Sequence, residues 1–498
     1  MRYNTALALA LPGLALGSPV IDIKPRSNTT ASPDIEAYKW SSQTIISNPQ
    51  NPEFFNATER WTILDPPTYQ LSVSPATEND VITAVKFATQ NHVPFLATGG
   101  RHGYTTTTGQ IRNGLAIDLS LMNSVKVNKK DATLTIGPGV RFRDIFDPVY
   151  EAGFQVQTGT CSCVGMMGAT LGGGIGRLEG LDGMIVDALV SARVVTADGK
   201  VLTVSEKSNP DLFWGMRGAG FNFGIVTEAT YKLHPLYKKG IWTSADIILS
   251  ADKNVTFFNT LASMFPLPAD LTVETVMNYN QTTNEPQVLV SVVYAGPQDE
   301  GVKAMAEILK IEAQYSSIKE IPWNHLSTEA TFGLDAEVCV DQTVWDIRGI
   351  SLRQFSAETM ATVFSDLRSF WAENPHGLNT QVVLESWPIE AAVAVPDDAT
   401  AYPWRDTSTY VMVQARWNDP TDPVKGPSND VSVKIRSELV ATSGYDDLAV
   451  YVNYANGDET PEQIYGKDKL PRLVALKNKY DPHNVFRWYN GLPTSYHP

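Results

Sequence analysis

Pro94-Phe-Leu-Ala-Thr-Gly-Gly-Arg-His102-Gly-Tyr104 sets a histidine inside a glycine turn directly after an apolar run. Glycines let backbone approach a bulky group and adopt dihedrals that a Cβ forbids. A histidine placed there is poised for chemistry rather than packing. A second glycine-rich stretch follows, Gly159-Thr-Cys161-Ser-Cys163-Val164-Gly165, running through Gly168 to Gly172-Gly173-Gly174-Ile-Gly176. A third runs from Asp211 to Gly224. Successive free N–H groups in such turns form nests that suit a pyrophosphate without any lysine. Three of them converging on one extended anionic ligand is a specific pattern.

Other nucleotide and nucleophile signatures are missing. No G-x-G-x-x-G opens a βαβ unit, no G-x-x-x-x-G-K-[ST] occurs, and no G-x-S-x-G elbow is present. The seven histidines show no metal-ligand spacing. Net charge is −15, which repels nucleic acid and anionic membrane surfaces and suits a small-molecule substrate. At 498 residues the chain is too long for one core.

Met1-Arg2 followed by the apolar run Leu7 to Leu16 reads as an export signal over residues 1–17. Sequons at Asn28, Asn56, Asn254 and Asn280 agree with glycosylation on a secretory route. The three cysteines, 161, 163 and 339, are too few for a disulfide framework. Cys161 and Cys163 read as small buried hydrophobes in a tight loop. Being alternate positions on extended backbone, they face opposite sides and serve different ends.

The pattern predicts strands at Tyr69–Val73, Val93–Thr98, Leu115–Leu119, Leu134–Ile136 and Ser191–Val195. It predicts a helix over Val81–Asn91, with Thr77 as N-cap and Asp80 as the acid at N3. From about residue 240 the texture shifts to longer strands, Ile241–Leu249, Glu274–Tyr279, Gln287–Tyr294, Gln381–Ser386 and Tyr410–Trp417. Helices over Val302–Tyr315 and Ala357–Glu373 are interleaved with them. That is a second α+β unit, a sheet with helices on one face.

Gly99-Gly-Arg-His102, Gly159-Thr-Cys161, Leu171-Gly-Gly-Gly-Ile-Gly176 and Phe223-Gly-Ile-Val-Thr227 resemble the FAD-binding domain of the vanillyl-alcohol-oxidase flavoproteins. Tyr451-Val-Asn453-Tyr454 and Lys479-Tyr-Asp-Pro-His-Asn484-Val-Phe486 resemble the end of berberine-bridge-enzyme-like members, fungal secreted type. The resemblance implies an α+β fold with a two-part FAD-binding domain of PCMH type over 60–238. A substrate domain with an antiparallel sheet would follow over 239–447, and 448–498 would complete the FAD domain.

Carried residue by residue, it implies a covalent bond from His102 to the flavin 8α-methyl, with Cys161 a second tether in many members. Gly99, Gly100, Arg101, Gly103, Gly165, Gly168, Gly172, Gly173, Gly174, Gly224, Ile225, Val226 and Asn453 would line the cofactor. Val164 sits where valine admits oxygen, which favours an oxidase that makes hydrogen peroxide. The family's Pro-His-Arg reads Pro403-Trp404-Arg405 here, which bears on substrate class.

Tyr454 is the expected proton acceptor. A phenol must drop ~3 pKa units to act so near neutrality, which calls for a cation or donor beside it. Glu385 and Gln414 lie on strands expected to face the substrate. The implied reaction is oxidation of a small specialised metabolite by a monomeric, FAD-dependent oxidase that hands electrons to O2. Alternatives are an oligosaccharide C1 oxidase, a redox-neutral cyclase or isomerase, and a flavin-binding protein without catalysis.

Overall fold

The computed structural model describes residues 34–497 apart from 418 and 420. The expected export signal and the Asn28 sequon lie outside them. Residues 38–498 form one compact unit.

The first sheet has strand order Ile45–Ser47, Tyr69–Ser74, Gly114–Asp118, Phe95–Thr98. Its last three strands are parallel. The helix Glu78–Gln90 connects two of them, and its start follows the sequence signal. Thr77 Oγ1 accepts from the Asp80 N–H while Asp80 Oδ2 accepts from the Thr77 N–H, closing a capping box. Val81, Ala84, Val85 and Ala88 form its buried stripe. The strand Phe95–Thr98 therefore ends pointing at the Gly99–Gly103 turn.

The second sheet is antiparallel, in the order Val125–Asn128, Thr133–Ile136, Ile225–Lys232, Leu189–Val195, Val201–Ser205. A buried cluster joins this sheet to helices Arg143–Glu151, Pro210–Ala219 and Leu470–Tyr480. Glu78 of the first unit pairs bidentately with Arg193 of the second sheet, at 2.9 and 2.7 Å.

The third sheet has seven antiparallel strands, ordered Tyr315–Pro322, Ile241–Ser250, Glu285–Tyr294, Leu271–Asn280, Gln381–Ser386, Thr409–Trp417, Val344–Leu352. Helices Asn254–Met264, Ala357–Glu373 and Lys425–Ala441 supply apolar residues to the core on one face. The opposite face carries Val276, Leu289, Val383, Met412 and Ile347, packed against Tyr104 and Tyr454.

Two local expectations need correction. The helix expected over Val302–Tyr315 breaks into short pieces, Gln298–Ala304 and Ala306–Leu309, and Tyr315 opens an edge strand. Register with Ile241–Ser250 wins over local periodicity there. The cysteines are not all packed hydrophobes: Cys163 and Cys339 form a disulfide, and Cys161 is free. Cys161 and Cys163 do serve different ends, but not by strand alternation: the backbone turns between them, with the Val164 N–H donating to the Cys161 carbonyl at 3.3 Å. Spacing could not show that Cys339 folds back onto that loop.

Candidate functional site

One cavity is lined by all three glycine-rich stretches and by the returning C-terminal segment. Gly99, Gly100, Arg101, His102 and Gly103 form one wall, and Cys161, Val164, Gly165 and Gly168 the second. Gly224, Ile225 and Val226 form the third, and Asn453 and Tyr454 close it. The first two walls meet backbone to backbone. A Cβ on Gly100 would lie 2.4 Å from the Gly165 nitrogen, so neither position accepts a side chain. Gly168 differs: among the described residues nothing lies within 4 Å of where its Cβ would be, and its glycine keeps that wall bare.

Gly172, Gly173 and Gly174 do not line this cavity, contrary to the sequence expectation. A Cβ on Gly172 would lie 2.6 Å from Asn453 Nδ2, and one on Gly174 would lie 2.4 Å from Ile185 Cβ. They are small because Asn453, Tyr402 and Ile185 pack onto them. Their link to the cavity is indirect: the Gly174 N–H donates to the Tyr451 hydroxyl at 3.1 Å, and Asn453 Nδ2 donates to the same oxygen at 2.6 Å.

Arg101 takes φ +58, a left-handed conformation uncommon for a side-chain-bearing residue. Its guanidinium donates to the Asn56 carbonyl and to Asp118 Oδ1, the latter at 3.2 Å, which holds the strained turn. His102 is thereby turned toward the cavity. Its ring stacks on Trp61 (centroids 4.3 Å apart), and Trp61 stacks in turn on Trp345 at 4.8 Å. Burial, with the Arg141 charge nearby, pushes the His102 pKa down to about 4, so the imidazole is neutral. Its Nε2 is shielded from solvent and has no partner among the described residues. Cys161 is likewise held as the thiol, its pKa pushed up to about 12 by burial and then by Glu274 and Glu385.

Tyr454 and Glu385 meet. The Tyr454 hydroxyl donates to Glu385 Oε2 at 2.7 Å, and Thr160 Oγ1 donates to Oε1 at 3.5 Å. Burial, then the negative charge of Glu274, pushes the Glu385 pKa up to about 8. The cation expected beside Tyr454 is a carboxylate instead. Burial and that negative charge raise the phenol well above its ordinary value. Tyr454 therefore cannot serve as a free phenolate; it can pass a proton to Glu385.

Gln414 is not brought to the site. It accepts from Gln381 Nε2 at 2.8 Å four ladder positions beyond the Tyr410–Glu385 pair; neither Gln414 nor Glu385 lines the cavity, but Glu385 reaches it through Tyr454. The remaining sequons place Asn56 on an exposed helix position and Asn254 and Asn280 on half-buried ones.

Several cavity residues escaped the sequence reading. Tyr104 lies inside the first glycine stretch itself. Its ring stacks over Tyr454 at 6.5 Å, and its shielded hydroxyl has no partner among the described residues. Trp488 and Tyr489 arrive from the C-terminus with no local motif to mark them, and Trp61, from the lead segment, stacks on His102 without lining the cavity.

The residues fit a flavin dinucleotide. The cavity is long enough to touch three separated backbone nests and is bare at Gly168. At one place it presents a neutral imidazole with an orphaned nitrogen.

Comparison with known proteins agrees. Residues 69–205 match the model of an FAD binding domain, and residues 450–493 match the berberine and berberine-like model. An FAD-linked oxidoreductase of Pyricularia oryzae is 55% identical over 456 residues, covering 91% of this chain and 90% of the relative. Another from Neurospora crassa is 52% identical, over 92% and 91%. One from Aspergillus ruber is 44% identical over 100% and 99%.

Among solved structures, a berberine-bridge-like protein of Physcomitrella patens superposes with TM-score 0.80 at 21% identity, covering 91% of this chain and 98% of that one. A xylooligosaccharide oxidase of Myceliophthora thermophila superposes with TM-score 0.78 at 23% identity, covering 91% and 97%. These two likenesses speak for the fold alone. Sequence relatives, domain matches and cavity together place the chain in the berberine-bridge-enzyme-like family of FAD-linked oxidoreductases.

Proposed function

We propose that the protein is an oxidase that takes a hydride from a carbon of a small specialised metabolite and passes the electrons to O2, forming hydrogen peroxide. The hydrogen bond between Tyr454 and Glu385 beside the cofactor cavity carries this reading. Flavin bound in the cavity supplies the hydride acceptor. The chain must then hold the substrate and take the proton from its adjacent hydroxyl or amine.

Tyr454 is placed for that. As its oxygen accepts the substrate proton, its own proton moves to Glu385 Oε2, and no isolated phenolate forms. His102 supports covalent attachment, since a neutral imidazole has the lone pair such a bond requires. Cys161, on the same cavity, remains the candidate second tether. Val164 on the cavity wall supports oxygen access. The Cys163–Cys339 disulfide and the exposed Asn56 sequon support the secretory route.

A screen of phenolic, polyketide-type and amine metabolites under anaerobic conditions tests the reading. One class should bleach the flavin, and admitting air should restore the colour with stoichiometric peroxide. Bleaching without peroxide would remove the oxidase assignment, and product formation without bleaching would point to redox-neutral work. Acid-precipitated protein should stay yellow; flavin left in the supernatant would end the covalent reading.

A further inference from the structure

The short segment from Thr331 to Cys339 lies against the Cys161–Cys163 loop and the apolar face of the seven-stranded sheet. It is fastened at both ends. At one end, Cys339 is bonded to Cys163, and the Asp335 carboxylate accepts from both the Ser162 N–H (2.7 Å) and the Ser162 hydroxyl (2.6 Å). The Trp61 indole N–H, from under His102, donates to the Val338 carbonyl at 2.7 Å.

At the other end, one ladder row of the sheet aligns Asp246, Ser291, Glu274 and Glu385. The segment occupies the first three. The Phe332 N–H donates to Asp246 Oδ2 (3.1 Å) and the Thr331 N–H to Ser291 Oγ (3.1 Å). Thr331 Oγ1 donates to Glu274 Oε2 (3.1 Å) and accepts from Arg177 Nη2 (2.9 Å). Of that row only Glu385 is left to Tyr454.

The fastenings hold an unfavourable conformation. Thr331 and Phe332 both have positive φ, +53 and +58, which costs a β-branched or bulky residue free energy unless the surroundings impose it. They impose it so that the half-buried rings and chains of Phe332 and Leu334 pack on the cluster containing Tyr104 and Tyr454.

We infer that Thr331–Cys339 is a fixed roof over the substrate side of the site. It limits turnover to compact, largely apolar molecules and excludes chains of sugar units, and Phe332 and the Cys163–Cys339 bond are its specificity determinants. This rests on the Tyr454–Glu385 assignment, so the test avoids substrate altogether.

Holoenzyme is photoreduced and then reoxidised either by O2 or by dichlorophenolindophenol, a bulky dye that accepts two electrons. Wild type is compared with Cys163→Ser/Cys339→Ser and with Phe332→Ala, which keeps the disulfide. Backbone hydrogen exchange is followed over 331–343. Both variants should react with the dye about tenfold faster while O2 rates stay within about twofold, and the double variant should also lose protection in the segment. Equal dye rates in all three proteins would overturn the roof, whatever exchange shows. A parallel rise in the O2 rate would overturn size selection. Neither result would touch the role of Tyr454 and Glu385, which substrate-driven bleaching tests separately.

Discussion

At the scale of single residues, function hangs on where a proton can rest. Glu385 is buried beside Glu274, and both influences hold its pKa up near 8. The proposed reaction needs the carboxylate. Its population grows as pH rises through that value, so substrate-driven flavin bleaching should accelerate with pH and level off above about 8. Glu385→Gln should remove this dependence and slow bleaching by roughly 10²- to 10⁴-fold, and Tyr454→Phe should slow it within the same range. Stopped-flow absorbance across pH checks both, and a flat wild-type profile would rule Glu385 out as the acceptor. Which residues have this character was only half legible. Tyr454 and Glu385 could each be singled out on their own segments, but their contact spans 69 positions. Gln414 reads no differently from Glu385 as a strand residue. Register alone puts Glu385 beside Tyr454 and Gln414 beside Gln381.

Elements were legible where local chemistry and tertiary demand agree. The helix Glu78–Gln90 is such a case, with its capping box, apolar stripe and observed start coinciding. Thr77→Ala should cost about 1 kcal/mol, read as a lower denaturant midpoint with unchanged slope. A loss within measurement error would mean that Asp80, also bonded to the Ser41 N–H and hydroxyl, holds the helix start by itself. The strand Val344–Leu352 gave no such signal. It is buried on both faces, so alternation is absent, and Asp346 and Arg348 interrupt the apolar run. They are tolerated because they pair with each other at 3.0 Å inside the fold.

Over the whole molecule, the C-terminal segment determines whether the cavity is complete, since Tyr451, Asn453, Tyr454, Trp488 and Tyr489 all come from it. A buried ion pair anchors it. Lys477 Nζ donates to Asp481 at 2.7 Å and to the carbonyls of Asn222 and Phe486 at 3.0 and 2.8 Å, with both charged side chains fully buried. Removing the acid leaves a cation without its partner, so Asp481→Ala should cost about 3–5 kcal/mol and lower flavin content along with stability. Chemical denaturation and the flavin-to-protein absorbance ratio measure this, and a fully loaded variant of unchanged stability would contradict the anchoring role. The sequence by itself determined the cofactor and the family fold. Glycine nests, the His102 turn and the capped helix are local devices whose residue types are dictated within a few positions. Only the tertiary structure decided which carboxylate meets Tyr454, that Cys163 finds Cys339, and that Gly172 to Gly174 serve packing behind the cavity. Those are contacts between distant segments, set by sheet register and chain return rather than by any short-range pattern.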